Sequence, residues 1–265
     1  MTLIDFAPIM TRIRRSSHVS KPSFSRKAHL MRKLLFIALC SLAFTIPALA
    51  QDPIKVDPKH YKLELENSQV RILRVKYGPR EKSVMHSHPI GVVVYLTDAR
   101  VRFHLPGGKS EVKTAKAGTA EMTPEGEHLP ENLENKPFEV ILIELKGKEA
   151  DYAELKDDPM TVDPKHYLSE SDVSQNASED TFARTLHVKY GPHEKSVMHT
   201  HPDAVAVFLT DSHFKFTLAN GQTRMADGKA GEAIFTPGET HLPENLGDKP
   251  AEIILVELKT KPAGK

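Results

Sequence analysis

One sentence is written twice in this chain. Residues 75–89 read VKYGPREKSVMHSHP, and residues 188–202 read VKYGPHEKSVMHTHP. Each is followed by a second echo, TPEGEHLPENL at 123–133 and TPGETHLPENL at 236–246. Aligned without a gap at a constant offset of 113, residues 70–146 match residues 183–259 at 43 of 77 positions. Self-similarity of that degree marks a tandem duplication of one module. It divides the 265 residues into two domains where length alone allows one or two. Three histidines persist in each copy, His86, His88 and His128 in the first and His199, His201 and His241 in the second.

Both copies open on the phrase VDPKHY, at 56–61 and 162–167. The first domain is read as 51–146 and the second as 162–265. The charged, Pro-containing stretch 147–161 is the linker, with Glu149 to Lys156 a candidate for two helical turns. A polar insertion within LSESDVSQNASED lengthens the second copy.

Residues 31–50 read as a secretory signal peptide. Arg32 and Lys33 are its positive region, Leu34 to Ile46 its apolar stretch and Ala48-Leu49-Ala50 its cleavage pattern, which makes Gln51 the mature start. The apolar run is shorter than the roughly 20 residues of a spanning helix, so a retained anchor is the lesser alternative. Residues 1–30 lie upstream of a complete signal, as a start-site overcall before Met31 or as a basic leader. The expected location is periplasmic or secreted, with no membrane attachment after cleavage. The only cysteine, Cys40, lies in the apolar stretch, so the mature chain has no disulfide, cysteine nucleophile or thiolate ligand. Residues 51–265 hold 28 Lys/Arg against 34 Asp/Glu, and a mildly acidic body argues against a nucleic-acid partner.

Within each copy the periodicity is that of strands. Val70 to Val75 alternates, Gly91 to Leu96 is valine-rich, Val101 to Leu105 runs into the turn signal Pro106-Gly107-Gly108, and Glu139 to Leu145 closes the copy. Short β-branched runs separated by Gly and Pro predict an all-β barrel or sandwich.

His86 and His88 are two apart, so on a strand both imidazoles face one way while Met85 and Ser87 face the other. His128 comes forty residues later and returns on a neighbouring strand. Three neutral imidazoles suit iron, zinc, manganese, nickel or copper, and three protein ligands leave an open position for water or substrate. His104, His187, His193 and His213 lack a partner in the other copy and read as surface residues. His60 and His166 are paired but precede the barrels, where structural hydrogen bonding is expected. Glu131 and Glu244 follow the third histidine of each copy by three, which makes them the candidates for a general base. Strand parity turns them away from it unless Pro130 and Pro243 disturb the register.

These residues resemble the cupin superfamily, whose motifs are G(X)5HXH(X)3,4E(X)6G and G(X)5PXG(X)2H(X)3N. The second motif is met by Gly118, Pro124, Gly126, His128 and Asn132, and by Gly231, Pro237, His241 and Asn245, each shortened by one residue before the histidine. The first motif is met by Gly78, His86 and His88, and by Gly191, His199 and His201, with a longer gap after the glycine. The resemblance implies a bicupin, two tandem antiparallel β-barrels of the double-stranded β-helix or jelly-roll kind, with the metal inside each. The phrases MHxHP and ETHLPENL resemble a group of small periplasmic-type cupins, some of which carry a label linked to β-alanine degradation.

The glutamate of the first motif is missing. Its place falls at Val92 and Val205, which predicts a three-histidine site with an apolar wall where a carboxylate would stand. Such a site leaves a divalent ion its full charge and favours an anionic small-molecule ligand. Two functions follow. One is a metal-dependent, dioxygenase-like enzyme acting on a small organic acid or amine. The other is a non-catalytic periplasmic protein that binds a small ligand or the metal. A tandem pair can stand in for the dimer that single-module cupins form, so a monomer or a homodimer is expected.

Overall fold

A computed structural model describes residues 51–146, 163, 165–169 and 182–259. The targeting segment, the linker with its helical candidate and most of the polar insertion lie outside the described residues. Before the first strand, Pro53–Val56 forms one helical turn (α1) that the sequence reading did not anticipate. Asp52 caps it, its side chain accepting from the Ile54 N–H at 3.1 Å, and a proline opens the turn. No helix among the described residues is long and apolar enough to cross a membrane.

The rest is antiparallel sheet. The first half forms β1 (Tyr61–Glu66), β2 (Val70–Tyr77), β3 (His86–His88), β4 (Gly91–Tyr95), β5 (Ala99–His104), β6 (Ser110–Ala115), β7 (Ala120–Thr123), β8 (Gly126–Asn132) and β9 (Phe138–Leu145). The second forms β10 (Tyr167–Ser169), β11 (Ala183–Tyr190), β12 (His199–His201), β13 (Ala204–Phe208), β14 (Ser212–Leu218), β15 (Thr223–Gly228), β16 (Ala233–Thr236), β17 (Glu239–Asn245) and β18 (Ala251–Leu258). Each half is a five-stranded sheet against a four-stranded one. The orders are β1-β2-β9-β4-β7 with β3-β8-β5-β6, and β10-β11-β18-β13-β16 with β12-β17-β14-β15. The strands thus close into two jelly-roll barrels. Pro106–Gly108 joins β5 to β6, with Gly107 and Gly108 at φ 75° and 77°, a conformation that a side chain would strain.

Burial explains the two kinds of strand. On β9, Val140 and Leu142 face the interior of the first barrel, while Ile141, Ile143 and Leu145 belong to a separate core shared with Val205, Val207, Ile254 and Val256 of the second. The five-stranded sheets are therefore covered on both faces, which is why GVVVY and VILI read as unbroken apolar runs. β6, with the burial pattern of an exposed edge, reads SEVKTA, and its lysine and glutamate blunt further pairing.

Two sequence expectations change here. Val92 and Val205 are fully buried in the core between the barrels, so they do not wall the histidines. His187 is not a surface residue. It is 8% exposed on the outer face of the doubly covered strand β11, where its Nε2 lies 2.9 Å from Glu252 Oε2.

Candidate metal centre

β3 pairs with β8 so that His86 stands directly opposite His128, and β12 pairs with β17 so that His199 stands opposite His241. His88 and His201 share the inward face of the same short strands by two-residue parity. All but His128 are nearly buried, from His86 at 1% to His241 at 8% exposed.

In the second barrel, donor atoms of His199, His201 and His241 all lie within 4.8 Å of one another. The Nε2 atoms of His199 and His201 are 2.8 Å apart, and the buried Nε2 of His241 has no hydrogen-bond partner. The other ring nitrogens are occupied. His199 Nδ1 lies 2.8 Å from Val197 O, His201 Nδ1 2.6 Å from Glu257 Oε1, and His241 Nδ1 2.9 Å from Glu239 Oε1. Each Nδ1–H donates to its oxygen, which fixes the tautomer and leaves every Nε2 lone pair directed inward. A metal held about 2.0–2.1 Å from each nitrogen spans at most about 4.2 Å between any two of them, so a trio spread over 4.8 Å must close slightly around an ion.

The first trio differs in orientation rather than in ring spacing. His86 and His128 rings are 5.0 Å apart and His88 and His128 rings 4.8 Å apart, against 5.1 and 5.3 Å in the second barrel, with His86 Nε2 buried and unpartnered. His86 Nδ1 faces Val84 O at 2.8 Å, as in the second barrel, but His88 Nδ1 donates to its neighbour Pro89 O at 2.7 Å. Among the described residues, only the second trio gathers its three donors within 4.8 Å.

Burial favours the neutral form of five of these imidazoles, His86, His88, His128, His199 and His241. It lowers the pKa of His86, His88 and His241, lowers that of His128 to about 3 with help from His88 and His86, and lowers that of His199 to about 4 with help from His201. Neutral imidazole is the form that binds metal.

Behind the second histidine of each pair lies a carboxylate that the sequence reading missed. Glu257 on β18 is fully buried, accepts on Oε1 from His201 Nδ1 and on Oε2 from Arg184 Nε at 2.8 Å and from Nη2. Its counterpart Glu144 on β9 is equally buried, with Arg71 Nη1 3.1 Å from Oε2, but it does not reach His88. Arg71 is shared, its Nη2 lying 3.1 Å from Asp52 Oδ1. Burial raises the Glu144 pKa to about 7. The signal was present in the sequence: a glutamate and an arginine that alternate with apolar residues (Val140 and Leu142 before Glu144, Leu73 and Val75 after Arg71), retained in both copies.

Glu131 and Glu244 do not approach the histidines. The register of β5 with β8 is regular through Pro130, so Glu131 faces outward, 2.7 Å from His104 Nε2 and 3.5 Å from Arg102 Nη1. Glu244 pairs with Lys215 at 2.5 Å. Asp203 accepts from the Gly238 N–H at 2.7 Å at the turn before β17.

A second buried network flanks each trio. His60 Nδ1 lies 2.7 Å from Asp57 Oδ2, which also accepts from Ser83 Oγ, and the His60 ring stacks on Tyr77 at 4.2 Å. Asp163, His166, Ser196 and Tyr190 repeat the arrangement. The carboxylate, not the imidazole, bonds the serine, so this is no nucleophilic triad. It ties the VDPKHY turn to the barrel. Tyr77 Oη is 3.1 Å from Tyr61 Oη, and the Tyr61 ring meets His86 edge-on at 4.8 Å.

Each trio borders a cavity inside its barrel. The first, about 370 Å³, is lined by His88, His128, Tyr61 and Tyr95 among others. The second, about 120 Å³, is lined by His201, His241, Tyr167, Phe214 and Phe216 among others.

No family model matches the chain, and no curated protein matches it. Solved structures do. AerE from Microcystis aeruginosa superposes with a TM-score of 0.55 at 13% identity, covering 78% of this chain and 96% of that one. Oxalate decarboxylase from Bacillus subtilis, a protein with Mn(II) centres, superposes with a TM-score of 0.51 at 12% identity, covering 76% of this chain and 75% of that one. A cupin domain from Bordetella pertussis Tohama I is 26% identical over 33% of this chain and 92% of its own, with a TM-score of 0.31.

Proposed function

We propose that this chain, whose fold is that of the cupin superfamily, holds one divalent transition metal in each barrel and acts there on a small organic acid or amine. The ligands are His86, His88 and His128 in the first barrel and His199, His201 and His241 in the second. The observation that carries the reading is the inward convergence of His199, His201 and His241 while Val197, Glu257 and Glu239 hold their Nδ1 atoms. A divalent ion so held supplies Lewis-acid chemistry at its open position, and redox chemistry as well if it is iron, manganese or copper.

The protein's own contribution is orientation and exclusion of water. His128 and His199, with pKa values lowered to about 3 and about 4, remain neutral donors at neutral pH. Tyr61 and Tyr167, whose pKa burial raises well above its ordinary value, stay protonated at the cavity wall. The catalytic form of the proposal is a dioxygenase-like oxidoreductase. One observation favours a non-catalytic binding protein instead. Glu131 and Glu244 face away, and Glu239, the one carboxylate that lines the second cavity among the described residues, is already engaged by His241 and Arg224.

Oxygen uptake by the iron-, manganese- and zinc-loaded protein with small thiols, amino acids and carboxylic acids separates the two. Turnover that requires metal and is lost in His86→Ala/His199→Ala supports the enzyme. Metal binding without turnover leaves the binding protein. We further propose that the protein is exported and cleaved after Ala50, for which N-terminal sequencing of the mature protein must return Gln51.

A further inference from the structure

The two cavities are built at matched positions from different chemistry. In the first, Tyr95 Oη donates to Glu121 Oε1 at 2.5 Å and Lys113 Nζ lies 2.8 Å from Glu121 Oε2. At the same positions in the second stand Phe208, Ala226 and Ile234, and all six residues line their cavities. The three changes belong together. A half-buried Glu121 without its lysine and tyrosine would be an uncompensated charge, and the apolar trio removes all three groups at once. Phe208 also packs closely on Gly228, where a Cβ would lie 2.2 Å from its ring, whereas the matched position in the first barrel is Ala115, packed against the core that contains Tyr95.

The charge at the mouth differs in the same sense. Among the described residues, Glu111, Glu121, Glu125 and Glu127 line the first cavity against a single cation, Lys113. The second is lined by Arg224 and Glu239, which bond each other, and the Arg224 guanidinium lies over the Phe216 ring at 5.1 Å. Phe214 replaces Val101 in the wall, and the second cavity has about 120 Å³ against about 370 Å³. Both cavities end on their histidines, His128 in the first and His241, whose Nε2 is unpartnered, in the second.

We propose that the barrels select different ligands, the first a small molecule bearing an ammonium group, the second a small molecule with an apolar body. The proposal rests on reading the histidine trios as ligand-binding metal sites. Glu111, Glu121, Glu125 and Glu127 outnumber Lys113, so the first mouth keeps a net negative charge even with Glu121 paired, and it attracts the ammonium group within low-dielectric walls that focus the field. Phe208, Phe214 and Ile234 take the apolar body, and the paired Arg224 and Glu239 leave the second mouth with no charge to spare. The duplication would then serve two specificities.

Isothermal titration calorimetry on the zinc-loaded protein, with n-butylammonium and n-hexanoate as probes, tests this. Wild type is expected to bind one of each. Glu121→Gln, a mild change, and the wall exchange Tyr95→Phe/Lys113→Ala/Glu121→Ile should each weaken butylammonium by roughly tenfold or more, the loss expected for a charged hydrogen-bond partner. Neither should alter hexanoate binding at the second barrel, and the reverse exchange Phe208→Tyr/Ala226→Lys/Ile234→Glu should abolish it. Butylammonium affinity that is absent in wild type, or unchanged in Glu121→Gln, overturns the proposal. Metal content measured on the same samples keeps the two readings apart. Protein that takes up no zinc, yet loses butylammonium binding on Glu121→Gln, overturns the metal reading and leaves the selectivity standing.

Discussion

Glu257 accepts the Nδ1 proton of His201 at 2.6 Å while Arg184 holds its other oxygen, so the second barrel carries a complete arginine–carboxylate–histidine relay of position. In the first barrel the same three residue types are present, but Arg71 is shared with Asp52 and His88 turns to Pro89 O. The second site is therefore organised for metal and the first must reorient His88 to match it.

The two sites should differ in affinity. Carboxylates behind metal-bound histidines typically contribute about 10–100-fold to binding. Glu257→Gln should weaken the tighter site by about that factor, whereas Glu144→Gln should change the weaker site little. Competition against a chromophoric chelator reads both, and equal losses in the two variants would count against the asymmetry.

Acid should destabilise the metal-free protein before it reaches the carboxylate range. His199 and His128 titrate in the fold at about 4 and about 3, below the roughly 6.5 of an unfolded histidine. Between those values the unfolded state binds more protons, so stability present above pH 6.5 falls as pH drops toward 4, by up to about 1.4 kcal/mol per pH unit for each imidazole that stays neutral. Glu144, raised from 4.5 to about 7 in the fold, contributes the opposite slope in this window, so thermal unfolding should show a reduced slope that Glu144→Gln steepens and His128→Asn/His199→Asn flattens.

The Asp57–His60–Ser83 network should matter to stability and not to metal. Ser83→Ala and Ser196→Ala each remove a donor from a buried carboxylate. Each should cost about 1–3 kcal/mol in urea unfolding while metal stoichiometry stays unchanged. A loss of metal in either variant would place the network in the site itself.

Gly228→Ala should cost about 1–3 kcal/mol through overpacking, because its Cβ would meet the Phe208 ring at 2.2 Å. Phe208→Leu should recover part of that loss, since the two residues are in contact and their effects should not add. Strict additivity in the double-mutant cycle would show that the ring does not set the cost.

Much of the architecture was legible in the sequence. Two-residue alternation in VRILRV and the glycine–proline punctuation reported the strands, and His86-x-His88 placed two imidazoles on one inward face. What escaped was anything set by which face meets which neighbour. Val92 occupies the motif's carboxylate position, yet it looks into the core between the barrels, a contact that no single copy encodes. Glu144 and Glu257 sit in apolar strands some fifty residues after the histidine pairs, and only the pairing of the closing strand with β4 and with β13 carries them to that end of the barrel. α1 depends on a four-residue Asp-Pro cap too short to show helical periodicity.

The most direct test is metal content by elemental mass spectrometry on residues 51–265, beside the variant His86→Ala/His88→Ala/His199→Ala/His201→Ala. Two equivalents of one transition metal per chain, lost in the variant while its β-sheet circular dichroism is retained, are the predicted result. No metal in the wild-type protein, even after reconstitution with iron, manganese and zinc, would contradict it.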